Sequence, residues 1–505
     1  MQQYELRDVA LSIAVVRMEN NLKRNTDKFI GREDDLARLN GLLHKRSASL
    51  VVVRGRRRIG KSRLVEEFGK NHRFLRFSGI PPTQDVTAQS QRDIFIQQLF
   101  QQLNLPLPPG GWTTSYWGDA FHLLADHTRE GRVIILFDEI SWMGSLDPLF
   151  LGLLKNAWDM EFKKNPQLIL VLCGSVSTWI EKNIINSTAF FGRISSKITL
   201  EELSLPECNQ FLNARGYRGS SYEKLKIISV TGGIPWYLEQ IEPHLSSDEN
   251  IKKLCFQKDG ILVDEFDKIF HDLFEKKSDV YKRLVMALAK VPLTFNQICK
   301  DMSYEKGGVL SGYLDNLITA GFICRDYTWS PKTGKISRLS SFRLSDNFLR
   351  FYLKYIEPNR SKIDLGIFQD IGMTSLPGWD AMMGLQFENL VLHNRRLIRK
   401  LLHCRPEDII YENPYFQRKT TSHEGCQIDY MIQTRQRLLY ACEIKFSRSE
   451  IKGEIIEEVK DRLSRLVLPR GFACAPVLIH VNGVDDTVVE ADYFSSVIDF
   501  SALLE

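Results

Sequence analysis

The chain has no CxxC pair. Its nine cysteines stand at 173, 208, 255, 299, 324, 404, 426, 442 and 474, too scattered for a structural zinc and odd in number, as suits reduced, mostly buried thiols. No apolar stretch approaches the ~18 residues of a membrane span. The first apolar run, Val9 to Val16, follows Glu5, Arg7 and Asp8 rather than a purely basic segment, which is unlike a secretory leader. A soluble, cytoplasmic protein without a membrane partner is expected. Charge of one sign is also scarce: 67 Lys and Arg against 62 Asp and Glu leave +5. So mild an excess does not announce nucleic-acid binding, and that argument rests on where the charges lie. Internal repeats and low-complexity tracts are absent.

With 43% hydrophobic and 26% charged residues the composition is ordinary globular usage, which excludes collagen-like, mucin-like and largely unfolded chains. At about 100–200 residues per domain, 505 residues should hold roughly three domains. Residues 1–27 read as an N-terminal extension. From 28 to 205, the apolar runs SLVVVRG (49–55), VIILFDE (133–139) and LILVLCGS (168–175) alternate with helical patterns and end in small or acidic residues. That alternation predicts a parallel α/β sheet with its chemistry at the strand C-terminal ends. Residues 206–277 read as a helical lid and 278–356 as short helices followed by a hairpin, the outline of a winged helix. A linker is expected at 357–379, and a smaller α/β domain at 380–505.

Gly55, Arg56, Arg57, Arg58, Ile59, Gly60, Lys61 and Ser62 match G-x-x-x-x-G-K-[ST], directly after one apolar strand and before the helical SRLVEEF that Arg63 helps open. In this context backbone N–H groups cradle phosphates at a helix N-terminus, Lys61 neutralises β/γ charge and Ser62 ligates Mg²⁺. The second strand delivers Asp138 and Glu139 side by side, the first suited to the metal and the second to activating a water beside the γ-phosphate. Ser175, after LILVLCG, is either a polar sensor of that phosphate or a turn serine.

FIGREDDLARL (29–39), GRRRIGKS, ILFDE, CGS, FFGRI (190–194) and GGIPWYL (232–238) follow one another in an order that resembles AAA+/STAND-type ATPases, more narrowly the archaeal-type ATPase family that also occurs in bacteria. The resemblance implies an AAA+-like P-loop core using ATP and Mg²⁺ in a homo-oligomer. It also implies that Phe29, Ile30, Gly31 and Arg32, with Pro235 on the lid, flank the adenine. By the same resemblance FFGRI presents Arg193 to a neighbouring subunit's ATP, the alternative being a structural salt bridge. GGIPWYL carries no sensor-two arginine, a departure from the general pattern.

In the winged-helix block VLSGYLDNLITAGF would be the recognition helix, although Tyr313, Asp315 and Asn316 bring it no positive charge. The hairpin loop SPKTGKISR adds Lys332, Lys335 and Arg338, suited to phosphates. Contact with DNA and a structural role both fit. In the C-terminal block, Asp429 lies in QIDYM, and thirteen residues intervene before Glu443-Ile-Lys445 in LLYACEIKF. Residues i and i+2 share a strand face, so Glu443 and Lys445 point together, as in a PD-(D/E)xK nuclease. There Asp429 and Glu443 would hold Mg²⁺, Lys445 would position water, and Glu388 on the preceding helix would supply a third carboxylate. An isolated Glu-x-Lys is otherwise a solvent-facing pair. Archaeal-type ATPases often carry such a restriction-endonuclease-like domain, sometimes with the acids lost. Arg395, Arg396, Arg399, Lys400 and Arg405 form a basic run in the same block, either a solvated helix face or a phosphate track. The resulting expectation is an ATPase coupled to DNA, rather than RNA, with metal-dependent cleavage; its alternative is an ATP-switched regulator with an inactive nuclease fold.

Overall fold

The computed structural model describes residues 28–106, 111–175, 177–274, 278–305, 307–368, 371–421 and 423–504, so the extension expected over 1–27 lies outside the described residues. Two units result, Phe29–Glu202 and one running on from Leu203.

The first unit is an α/β core of P-loop type around a parallel five-stranded sheet. Its strands are β1 (Ser49–Arg54), β2 (Arg73–Ser78), β3 (Val133–Asp138), β4 (Ile169–Gly174) and β5 (Ile194–Thr199), in the order β2-β3-β4-β1-β5. The three apolar runs are the three central strands, buried along their length except at Arg54. Covered on both faces by helices, such strands need near-continuous hydrophobicity. β2 and β5 escape the apolar-run reading because they are the sheet's edges: RFLRFS mixes buried with exposed positions, and ISSKIT buries only Ile198. On one face Phe77 and Phe137 pack with Phe95, Phe121, Trp117 and Phe150, fixing the strand that ends in Asp138.

The second unit opens with the helices Leu205–Ala214, Ser221–Thr231, Pro235–Glu239, Ser247–Cys255 and Glu265–Phe274. Next come the helices Ser278–Lys290, Phe295–Met302 and Gly308–Thr319, and a three-stranded antiparallel sheet. In it β8 (Ile336–Leu344) pairs with both the short β6 (Leu293–Thr294) and β7 (Ile323–Trp329). Asn316 turns inward, donating to the Tyr281 hydroxyl at 2.7 Å, whereas Lys332, Lys335 and Arg338 are exposed around the hairpin loop. The stretch 357–379 differs from the expected linker. It forms short helical turns with Ile363, Met373 and Leu376 buried, and its Pro377 and Gly378 carbonyls accept hydrogen bonds from Tyr355 and Lys354. Its prolines and glycines flank helical turns instead of marking a loose tether: Pro358 lies in the first turn of Glu357–Asn359, and Gly372 and Gly378 stand just before Met373–Ser375 and Trp379–His393.

The last block is a second sheet, β13-β12-β11-β10-β9, made of β9 (Ile409–Gln417), β10 (Cys426–Thr434), β11 (Leu438–Lys445), β12 (Ala473–His480) and β13 (Ser496–Asp499). Pairing is antiparallel from β9 to β11 and parallel from β11 to β13. The edges are again what the sequence conceals. β13 is four residues long, and β9 contains Pro414, which a central strand would not tolerate. The apolar and basic stretch ahead of this sheet forms two helices, Trp379–His393 and Arg395–Leu401. The break falls at Asn394, whose side-chain amide donates to the Leu390 carbonyl at 2.8 Å while its oxygen accepts from Leu205 N–H at 2.8 Å.

The hairpin is anchored to this sheet through Trp329. Its ring lies 4.7 Å from Tyr411 and 5.2 Å from Tyr415, and its indole N–H donates to Gln433 at 2.5 Å. Gln433 in turn donates to the Pro331 carbonyl at 2.8 Å. Trp329→Ala is expected to cost about 3–5 kcal/mol, read by urea unfolding, because it empties a buried aromatic site and orphans Gln433. Trp329→Phe, which keeps the ring volume in part, should cost markedly less.

Candidate functional site

The phosphate loop is shaped by residues that accept positive φ. Gly55 has φ 151°, and a Cβ on it would stand 2.5 Å from the Leu200 carbonyl oxygen, so only glycine fits. Arg58 (φ 71°) and Gly60 (φ 91°) then reverse the chain onto the helix Lys61–Gly69, which presents its first N–H groups and the half-buried Ser62 at the C-terminal edge of β1. Lys61 is buried over the loop, with Nζ donating to the Arg56 carbonyl at 2.9 Å. Arg56 lies 3.7 Å from Glu202, Arg57 stands 6.0 Å from the centroid of the Trp142 ring, and Arg63 is exposed 3.9 Å from Glu66.

Phe29, Ile30 and Gly31 lead into Arg32, whose guanidinium donates to the Ile59 carbonyl at 3.2 Å and the Glu201 carbonyl at 2.6 Å. Arg32 is thereby a brace of the loop itself, a more direct task than flanking a base. Pro235 heads the helix Pro235–Glu239 in the other unit. The preceding turn is pinned there by Leu203 N–H donating to the Gly233 carbonyl at 2.7 Å.

Asp138 and Ser175 stand at the ends of adjacent strands, β3 and β4. Glu139, in a left-handed conformation at φ 50°, turns its Oε2 toward Ser175 and accepts from both Ser175 N–H (3.0 Å) and Ser175 Oγ–H (2.9 Å). Ser175 is therefore the residue that orients the acid. Asp138 Oδ2 accepts from Arg76 at 2.7 Å, and Arg76 also pairs with Glu66 on the phosphate-loop helix. The sequence reading missed Arg76; its signal is an arginine between apolar residues of a strand whose Ser78 pairs with Asp138. Ser62 and Asp138 offer the hard oxygen donors that Mg²⁺ takes beside a nucleotide phosphate.

Arg193 is held by Asp159: Nε lies 3.0 and 3.1 Å from the two carboxylate oxygens and Nη2 lies 2.8 Å from Oδ2. These bonds, with Lys155 and Lys163 nearby, hold the Asp159 carboxyl well below its ordinary range. Within one chain Arg193 thus makes the structural ion pair, and serving a neighbour would require exchanging Asp159 for phosphate.

In the second unit, antiparallel β10 and β11 bring Asp429, Glu443 and Lys445 together. Asp429 Oδ2 accepts from Ile444 N–H at 3.0 Å, and Lys445 Nζ lies 3.5 Å from Glu443 and 2.9 Å from Glu458. Glu443 is 5% exposed, and burial together with the Asp429 charge pushes its carboxyl up to about 7. Burial likewise raises Asp429. A residue the sequence reading passed over, Arg462 on the helix Glu454–Ser464, pairs with Glu443 and lies 3.8 Å from Asp429. An open cavity of about 560 Å³ reaches this point, lined by Phe416, Gln417, Cys426, Asp429, Arg462 and Arg465.

Glu388, expected as a third ligand, does not join them in a metal-binding group: among the described residues no three His, Cys, Asp or Glu side chains converge on one ion position. Burial and Asp429 push Glu388 up to about 7, while the buried Arg343 and Arg350 draw it down. Its influence on the acids is electrostatic. Mg²⁺ commonly takes one or two carboxylates plus waters and phosphate, a demand that Asp429 and Glu443 fit by themselves. Of the basic run, Arg395 and Arg399 turn to Asp326 (4.0 Å) and Glu412 (3.0 Å), leaving Arg396, Lys400 and Arg405 exposed.

Residues 29–241 match the model of a family described as an ATPase domain predominantly from Archaea. An uncharacterized protein of Methanocaldococcus jannaschii is 26% identical over 343 residues, covering 67% of this chain and 71% of its own. Among solved structures, the Walker-type ATPase of Pyrococcus abyssi aligns at TM-score 0.47 and 16% identity, over 64% of this chain and 96% of that one. The Aeropyrum pernix ORC2 protein aligns at 0.39 and 15%, over 68% and 98%. No helix among the described residues is long and apolar enough to cross a membrane.

Proposed function

Taking residues 29–241 as an ATPase domain of that family, we propose that the chain binds and hydrolyses ATP as a homo-oligomer, and that its nucleotide state governs engagement and metal-dependent cleavage of DNA by the C-terminal block. For the nucleotide half, Lys61 and the loop N–H groups bind the phosphates, Ser62 and Asp138 would hold Mg²⁺, and Glu139, oriented by Ser175, takes the proton of the attacking water. Phe29 to Gly31 are assigned to the adenine, and Arg193, once released by Asp159, to a neighbour's γ-phosphate.

The observation that carries the cleavage reading is the convergence of Asp429, Glu443 and Lys445 on neighbouring strands beside an open cavity. Asp429 and Glu443 would hold Mg²⁺, which when bound offsets charge on the phosphate oxygens. Water oxygen adds to phosphorus, the P–O bond to the leaving oxygen breaks, and that oxygen takes a proton. Lys445 positions the water and balances the developing negative charge. The elements at 278–356 support a winged-helix reading in which Lys332, Lys335 and Arg338, exposed on a hairpin anchored by Trp329, contact DNA phosphates. Arg462, already paired with the acids, favours the second reading, a regulator whose nuclease fold is silent.

The test is incubation of the full chain with supercoiled DNA, single-stranded DNA and RNA, in Mg²⁺ or Mn²⁺, with and without ATP. Nicking that requires metal is expected. Intact nucleic acid under every condition would leave the regulator.

A further inference from the structure

A phosphodiester-cleaving site must hold a cation between its acids and an anion beside its lysine, and the helix Glu454–Ser464 carries a counterpart of each. Arg462 pairs with Glu443 and stands 3.8 Å from Asp429, where one nitrogen, Nη1, serves both carboxylates. Glu458, four residues earlier and so on the same helix face, accepts from Lys445 at 2.9 Å. We propose that Arg462 and Glu458 are built-in stand-ins for the metal and the phosphate, closing the Asp429–Glu443–Lys445 site until a divalent cation displaces the guanidinium. This rests on the cleavage reading above.

The two contacts differ in weight. Glu458 is 54% and Lys445 34% exposed, so their pair is screened and contributes little, and an incoming phosphate can replace it readily. Glu443 is 5% exposed, and removing Arg462 would leave a buried carboxylate uncompensated, which is strongly destabilising unless another cation takes the place. The Arg462 side chain is 32% exposed and lines the cavity, so it has somewhere to go.

The experiment is Mn²⁺ titration of the nucleotide-free full chain, following free Mn²⁺ by electron paramagnetic resonance, beside thermal melting in EDTA and in Mn²⁺. The Asp429→Asn variant defines the blank. Arg462→Gln is expected to bind Mn²⁺ at least about tenfold more tightly than wild type, to melt lower in EDTA and to recover more on adding Mn²⁺. Asp429→Asn in the same chain should abolish the gain. Glu458→Gln should leave Mn²⁺ affinity within about twofold, as befits a screened pair. Arg462→Lys keeps the charge but loses the planar reach, and should fall between. If Arg462→Lys matches wild type, the effect is long-range charge, and the stand-in is overturned. If wild type binds Mn²⁺ and Arg462→Gln binds it no better, the stand-in fails while the metal site stands. If neither exceeds the blank, the cleavage reading fails as well.

Discussion

Glu139→Gln is expected to keep ATP and lose turnover by roughly 10²–10⁴-fold, the range of a positioned general base. Lys61→Ala is expected to lose ATP itself. The contrast follows from what each side chain touches. Lys61 is buried in the loop, its ammonium fixed by the Arg56 carbonyl where the β/γ charge would lie, so its removal deletes a point charge from the phosphate cradle. Glu139 lies beyond the cradle, on the turn after β3, with Ser175 N–H and Oγ–H both on Oε2. A glutamine there retains the shape and one acceptor but cannot take a proton. Fluorescent-nucleotide binding and phosphate release, measured on the same preparations, separate the two effects. Full turnover by Glu139→Gln would mean that water is activated elsewhere. Arg193→Ala should likewise spare ATP affinity and slow hydrolysis, but only where ATP brings subunits together. A chain that stays monomeric and hydrolyses ATP undiminished by that change would assign Arg193 to Asp159 alone.

Which parts of this were legible in the sequence follows from where each residue's partners lie. Both candidate constellations are built from short contiguous motifs on or directly after strands, so GRRRIGKS, the Asp138–Glu139 pair and Glu443-Ile-Lys445 could be read directly. Central strands were legible for the same reason: burial on both faces forces an apolar run. β2, β5, β9 and β13 were not, because an edge strand meets solvent and its composition resembles a loop's. Nor were the charged partners. Arg76 reaches Asp138 across 62 residues, Asp159 reaches Arg193 across 34, and Arg462 reaches Glu443 across 19. Local spacing carries no trace of such pairs; only the fold juxtaposes them. The surroundings of Glu388 were hidden in the same way, since Arg343 and Arg350, which draw on its charge, come from β8 and the helix after it.

Asp429→Ala and Glu443→Ala should abolish metal-dependent cleavage, while ATP hydrolysis stays near wild type. Asp429 and Glu443 lie on strands of a sheet in the unit that begins at Leu203, whereas Glu139 and Lys61 belong to Phe29–Glu202. The two acids act through the cation: with either one gone, a single carboxylate and the Arg462 guanidinium remain, a poor exchange for a divalent ion. Lys445→Ala should also suppress cleavage, by about 10²-fold or more if the ammonium balances charge at the reacting phosphate, yet it should bind Mn²⁺ at least as well as wild type because it removes a competing cation 3.5 Å from Glu443. Glu388→Ala should be milder than any of these, since it only adds negative field to the acids from outside their ligand group. Cleavage and Mn²⁺ uptake measured on all four variants resolve the roles. Cleavage persisting in Glu443→Ala would move the reaction to another enzyme or another site, and loss of Mn²⁺ binding in Lys445→Ala would make the lysine a support for the acids rather than a partner of the phosphate.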